Sequence, residues 1–254
     1  MQLAVHTMTV AEELRSGRLQ IDRLVPELAA LGCRAIEIDS SSASAAETAR
    51  AAADAGMGIL YASGTRVPSD ADPSGAADEA VATALALGAR RMSMLPPRGT
   101  PRWDAIEPAR IAGVRIHVTN EPAAGSVLRV RAFVDRADRP WVTAAFDTAA
   151  AALAGEDPVR SLYLLNRRIG HIYFSDAKPL LGRLRVTHPG DGTLWWYGVM
   201  WALWSLGYEE YVTLAFPDEG NGDRCLRAAI EYVTQLRNSR FAGSVPRHDP
   251  SEPG

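Results

Sequence analysis

The chain has 254 residues, 47% of them hydrophobic, enough to bury the core of one sizeable domain. Its formal net charge of -3 leaves no basic face to neutralise phosphates, so a small molecule is the expected partner and a nucleic acid is not. No apolar run approaches the roughly 20 residues that cross a bilayer, and Cys33 and Cys225 match no metal-ligand spacing. MQLAVHTMTV lacks a charged segment followed by a long apolar one, so the expectation is a reduced, cytoplasmic protein without membrane association.

Short β-type runs alternate with helical patterns about every 25 to 30 residues, the length of a strand, a loop and a crossover helix. In chain order the runs are LAVHT (3–7), RAIEID (34–39), GILYAS (58–63), RRMSML (90–95), VRIHVT (114–119), WVTAAFD (141–147), GHIYFS (170–175) and YVTLAF (211–216). Between them lie helical segments such as IDRLVPELAALG and AADEAVATALALG, each closed by a glycine of the kind that ends helices. Eight such units predict a single (β/α)8 barrel over residues 1–241, with an open doubly wound sheet as the alternative. The Pro-, Ser- and Gly-rich end, 242–254, reads as a tail.

A barrel of this type builds its site at the C-terminal ends of the strands, from side chains that alternate inward and outward. Asp147 ends the sixth run, and Ala145 shares its face. Arg115, His117 and Thr119 share a face of the fifth, His171, Tyr173 and Ser175 a face of the seventh, and Glu37 and Asp39 a face of the second. His6 or Thr7 ends the first run, Glu121 follows the fifth directly, and His188 lies in THPGDG. Lys178, the only lysine of the chain, stands just past the seventh run. If both are buried, Glu37 and Asp39 would raise one another's pKa. WWYGVMWALW reads as core packing with a subunit contact in a homodimer, rather than as a cofactor box.

Three segments, taken in order, resemble a known family. ALGCRAIEID is similar to its second-strand motif, FDTAAAALAGEDPVRSLYLLNRRIGHIYFSDAKP to its sixth strand, "aGedp" helix start and seventh strand, and HPGDGTLWWYGVMWALWSLGYEEYVTLAF to its "pGdGeid" loop, helix and eighth strand. The family is the xylose isomerase-like barrels, which hold sugar-phosphate isomerases and epimerases, hydroxypyruvate isomerase, inosose dehydratase and endonuclease four-type enzymes. The resemblance implies one divalent metal held by Glu, Asp, His and Glu on strands five to eight. Those positions fall here on Thr119, Asp147, Tyr173 and Ala215, so one ligand of four is kept. A histidine that often follows the Asp by three falls on Ala150. On the His-x-Lys-Asp run of the seventh strand, YFSD keeps only Asp176.

One carboxylate facing Thr, Tyr and Ala cannot replace the water shell of a divalent ion, so the expectation is no cofactor. What the resemblance and the residues together support is an isomerase, epimerase or lyase that moves protons on a small polyhydroxylated or keto-enol compound. Asp147 would be the base or acid, with Tyr173 and Lys178 on the oxyanion side. His117, His171 and Glu121 would shape the pocket, and Glu37, Thr119, Asp176 and His188 complete the expected substrate-binding set. Two alternatives stand beside this. One is a non-catalytic binding protein; the other is a metal enzyme with one cation such as Mn or Mg on Asp147, Glu121 and His117, with His171 beside them.

Overall fold

A computed structural model describes residues 1–71, 76–123 and 125–239. The 242–254 tail expectation lies outside the described residues. Among the described residues ten strands form: β1 Gln2–His6, β2 Ala35–Asp39, β3 Gly58–Arg66, β4 Arg91–Leu95, β5 Arg115–Thr119, β6 Val142–Asp147, β7 Ile169–Phe174, β8 Asp176–Leu180, β9 Arg183–Thr187 and β10 Tyr211–Leu214. Eight of them, β1 to β7 and β10, are all parallel and close into a barrel when β10 pairs with β1 (Leu3 to Val212, Val5 to Leu214). All eight expected runs are barrel strands, and the open sheet is set aside. Helices that end at glycine do so as the pattern requires, with Gly32 and Gly88 at φ 90° and 79°.

The alternation of the strands sorts the side chains. Outward residues such as Ile36, Ile38, Met92, Met94, Ile116, Phe146 and Phe174 are buried under the surrounding helices and form the main core. The inside of the barrel differs from the usual filling of branched aliphatic side chains. Its apolar content is small: Ala4, Ala35 and Leu60 at one end, and Ala145, Tyr173 and Ala215 with Met8 at the other. Between them His6, Glu37, Ser93, His117 and His171 are all buried. Polar groups in such a place are stable only when they satisfy one another.

The "aGedp" segment has a local physical reason. Asp157 caps the helix Pro158–Leu165 by accepting from the amides of Val159 (2.8 Å) and Arg160 (3.3 Å), and Pro158 opens that helix where its missing N–H costs nothing.

Past the end of β7 the chain forms an antiparallel hairpin, β8 with β9, where the sequence reads as a loop. Its turn residues, Leu181 and Gly182, are both at positive φ (49° and 76°), which a two-residue hairpin turn needs. The hairpin is tied down by Asp176, which is fully buried. Its carboxylate accepts from the amides of Ala177 (2.8 Å), Gly190 (3.1 Å) and Leu194 (3.1 Å) and from the Trp196 indole (2.7 Å). Asp176 therefore holds β8 and the PGDG turn together, and does not face a substrate. A Cβ at Gly192 would lie 2.1 Å from Asp176 Oδ1, so only glycine fits there. Lys178 points away on the hairpin, paired with Asp191 at 2.6 Å and 41% exposed. Asp176→Ala strands buried donors and should cost about 3 kcal/mol in denaturant unfolding. Lys178→Ala, which breaks only an exposed ion pair, should stay within about 1 kcal/mol of wild type.

Candidate active site

The four positions that family resemblance assigns to a metal do converge. Thr119, Asp147, Tyr173 and Ala215 line one cavity of about 270 Å3 at the C-terminal mouth of the barrel, with His6, Met8, Asp39 and Ser93 among the rest of its wall. Register explains the meeting: Asp147 on β6 pairs with Tyr173 on β7, and Thr119 on β5 with Ala145, one inward position below Asp147.

Asp147 is the end of β6 and at the same time the cap of the helix Thr148–Leu153. Its Oδ1 accepts from the Ala150 amide (3.0 Å) and from the Ser175 hydroxyl (2.7 Å). Asn120 fixes its backbone from both sides, accepting from the Asp147 amide (2.6 Å) and donating to its carbonyl (3.1 Å). Burial pushes the Asp147 carboxyl above its ordinary value, and the bonds from Ala150, Ser175 and Ala149 offset only part of that rise.

Below it lies the buried polar layer. The Tyr173 hydroxyl is 2.6 Å from Glu37 Oε1 and 2.6 Å from Ser93 Oγ, which in turn lies 3.3 Å from the same Glu37 oxygen. The other carboxylate oxygen, Oε2, is 3.2 Å from His171 Nε2. That pair is close but poorly aligned, and neither atom completes a hydrogen bond among the described residues; nor does His117 Nε2. The rings of His117 and His171 stack at 5.7 Å, and His117 Nδ1 bonds the Thr143 hydroxyl at 2.6 Å. His6 sits at 6.3 Å, edge-on to Tyr173.

Charges in this layer are pushed apart. Burial alone would raise the Glu37 carboxyl, but the neighbouring His171, then His6 and the Tyr173 hydroxyl, bring it down to about 2. The expectation that Asp39 would raise it is thus corrected: Asp39 is only half-buried at the rim, and imidazoles, not a second carboxylate, surround Glu37. Burial and the Glu37 charge lift the Tyr173 phenol well above its usual value. Burial lowers His6, against the pull of Glu37 and Asp39, and burial with the nearby His171 and Arg91 lowers His117 far below the ordinary imidazole value.

Several expected site residues stand elsewhere. Glu121 forms a double contact with Arg66 (2.6 and 3.2 Å), which draws it away from Asp147. His188 packs on Phe216 at 5.8 Å and, with Lys178, lines a neighbouring cleft that has Val186 and Pro217 in common with the mouth. The set Asp147, Glu121 and His117 is not brought together, because Arg66 and Thr143 claim two of its members. Among the described residues no group of three or more His, Cys, Asp or Glu is arranged to hold an ion. A divalent cation does not fit the four positions that the resemblance assigns to it: one carboxylate, a hydroxyl, a phenol and a methyl group. Of the four tryptophans in WWYGVMWALW only Trp196 joins the core, with Val199, Met200 and Leu203, while Trp195, Trp201 and Trp204 are 63%, 44% and 38% exposed. Ser93 is the site residue that sequence reading passed over. It was visible as the one inward polar position between Met92 and Met94.

A family model for the xylose isomerase-like TIM barrel matches residues 25–236. The chain belongs to that family. Solved structures with the same fold include the probable 3-DHS dehydratase AsbF from Bacillus anthracis, at 12% identity and TM-score 0.72 over 92% of this chain and 99% of that one. A D-allulose 3-epimerase from Methylomonas sp. aligns at 16% identity and TM-score 0.70, over 93% and 98% of the two chains. The 3-keto-D-glucoside 4-epimerase YcjR from E. coli aligns at 14% and 0.68, over 93% and 99%. No curated protein sequence matches the chain. At such identities the likeness carries the fold, and the mouth residues must speak for themselves.

Because Glu37 is held below its ordinary 4.5, its charge stabilises the fold above that pH, and the contribution is lost as pH falls toward 2. Glu37→Gln should therefore cost about 3 kcal/mol in denaturant unfolding at pH 7, with the gap to wild type closing progressively below pH about 4.5. Equal stabilities at pH 7 would show that the carboxylate is not paired.

Proposed function

We propose that the protein is a proton-transfer isomerase, epimerase or lyase for a small polyhydroxylated or keto-enol compound, working through its own side chains without a bound metal. The observation that carries this is the opposed setting of two carboxyls, Asp147 in the wall of the mouth and Glu37 buried in the layer beneath it. Glu37 is held ionised beneath Tyr173, while Asp147 is raised toward the range where a carboxyl both takes and returns a proton.

Asp147 removes a proton from the carbon beside a substrate carbonyl. The bonding pair moves toward the carbonyl oxygen, and the Tyr173 hydroxyl turns its single proton from Glu37 Oε1 to the developing oxyanion, while the Ser93 hydroxyl, 3.3 Å from Glu37 Oε1, holds the carboxylate. Tyr173 stays a phenol throughout, because Glu37 beside it makes a phenolate costly. Return of the proton by Asp147 to the neighbouring carbon gives an isomer, and its transfer to a β-hydroxyl that leaves as water gives an elimination; an epimer takes its proton on the opposite face from a donor other than Asp147. Neighbours named as sugar epimerases and a dehydratase accord with this class.

A second reading, a binding protein without chemistry, draws support from the apolar cluster of Ala145, Tyr173 and Ala215 where family resemblance expects polar ligands. Solvent deuterium exchange into ketoses, sugar phosphates and keto acids separates the two. The catalytic reading expects exchange that survives exhaustive chelation. It should fall by roughly a thousandfold in Asp147→Asn and by roughly a hundredfold or less in Tyr173→Phe. Its acid limb should lie above the ordinary carboxylate range, since the raised Asp147 must be ionised to act. Binding with no exchange would establish the non-catalytic reading.

A further inference from the structure

The mouth cavity has a neighbour. Met8 and Asp39 are part of its wall and also part of the wall of a second cleft, of about 450 Å3. That cleft lies between the segment after β1 and the loop after β2. Small-molecule sites usually occupy about 300 to 1,000 Å3, so the mouth alone is undersized and the two spaces together are not.

The second cleft is set firmly in place. The Asp39 amide donates to the Thr7 hydroxyl (3.0 Å), which ties the two walls together. Asp39 Oδ1 accepts from the Ser41 amide (2.8 Å), fixing the start of the serine loop. The Glu12 and Glu13 amides donate to Asp218 (2.8 and 3.2 Å), which anchors the opposite wall.

Its chemistry is divided. Met8, Ala11, Leu14 and Ala43 give an apolar side, and Ser41, Ser42, Ser44 and Thr7 add hydroxyls. A pyranose or furanose ring has the matching division, with C–H groups on its face and hydroxyls at its edge. Charge argues against a phosphate here. Arg15 is the one cation in the lining and is bonded to Glu12, while Asp39 and Glu47 line the same cleft. A third cleft meets the mouth at Val186 and Pro217; there Lys178 is paired with Asp191 (2.6 Å) and Arg185 faces Glu219 (3.9 Å), and Arg224 is the cation of its lining that a phosphate would have to reach.

We infer that the substrate is a neutral, two-unit compound: a keto sugar at Asp147 and Tyr173 that carries a second, uncharged glycosyl or polyol unit in the cleft between Met8 and the serine loop. The inference rests on the proton-transfer reading for the first unit, and it adds where the second unit lies and why it is not a phosphate.

Calorimetry on the full chain tests it with D-fructose, fructose 6-phosphate, and the glucosyl-fructoses turanose and isomaltulose. At least one disaccharide should bind roughly tenfold or more tighter than either fructose or its phosphate. Ala43→Trp, which fills the cleft from an exposed position, should bring the ratio to about one, and the gentler Ser41→Ala and Ser44→Ala should each lower it partway. Equal binding of all four sugars, tighter binding of the phosphate, or a preference that survives both Ala43→Trp and the serine variants would overturn the inference. Deuterium exchange is scored separately. A disaccharide preference without exchange upholds the cleft and overturns the catalytic reading, whereas exchange without the preference does the reverse.

Discussion

A buried carboxylate in the middle of a barrel is the constraint on which this mouth depends. Glu37 is 1% exposed, and an unpaired ion there would cost more than most single interactions can return. Its cost is offset because β7, across the barrel from β2, supplies both the Tyr173 hydroxyl to one oxygen and the His171 imidazole to the other. Removing the acid would leave a phenol, an imidazole and a serine hydroxyl buried with poor partners. The interior is therefore polar by necessity of mutual satisfaction, and small residues such as Ala4, Ala35 and Ala145 make room for it.

That constraint fixes what the mouth can do. With Glu37 ionised below, Tyr173 remains protonated and its hydroxyl is held at a defined point of the cavity floor. Asp147 is placed independently, by the helix it caps and by Asn120, so it feels burial more than it feels Glu37. Asp147 in the cavity wall and Glu37 in the layer below it therefore have opposed tendencies, one carboxyl raised and the other lowered.

Much of this was legible in the sequence, and what was not has physical causes. The eight barrel strands are apolar runs of β-branched and aromatic residues set off by glycine, signals that lie within ten residues of one another. Alternation correctly grouped His117 with Thr119 and His171 with Tyr173. The hairpin escaped because its turn is Leu181 and Gly182 rather than the Asn-Gly or Asp-Gly pair that announces such turns. Lys178 was drawn toward the mouth for the same reason: a loop past the strand end can reach anywhere, but a strand of that hairpin carries it outward to Asp191. The partners of Glu37 and Glu121 are separated from them by 136 and 55 residues. Which inward groups meet across a barrel depends on its stagger, and no local pattern encodes that.

The state of the Glu37 carboxyl is the quantity on which the account turns, and carbon-13 NMR of the protein labelled at glutamate side-chain carboxyls reads it directly, with the Glu37 signal assigned by its loss in Glu37→Gln. The account predicts a resonance that stays in the ionised position at pH 4 and moves only as the solution approaches pH about 2, while exposed glutamates titrate near their ordinary value. A Glu37 signal that titrates with the others, or that is already protonated at neutral pH, would contradict it.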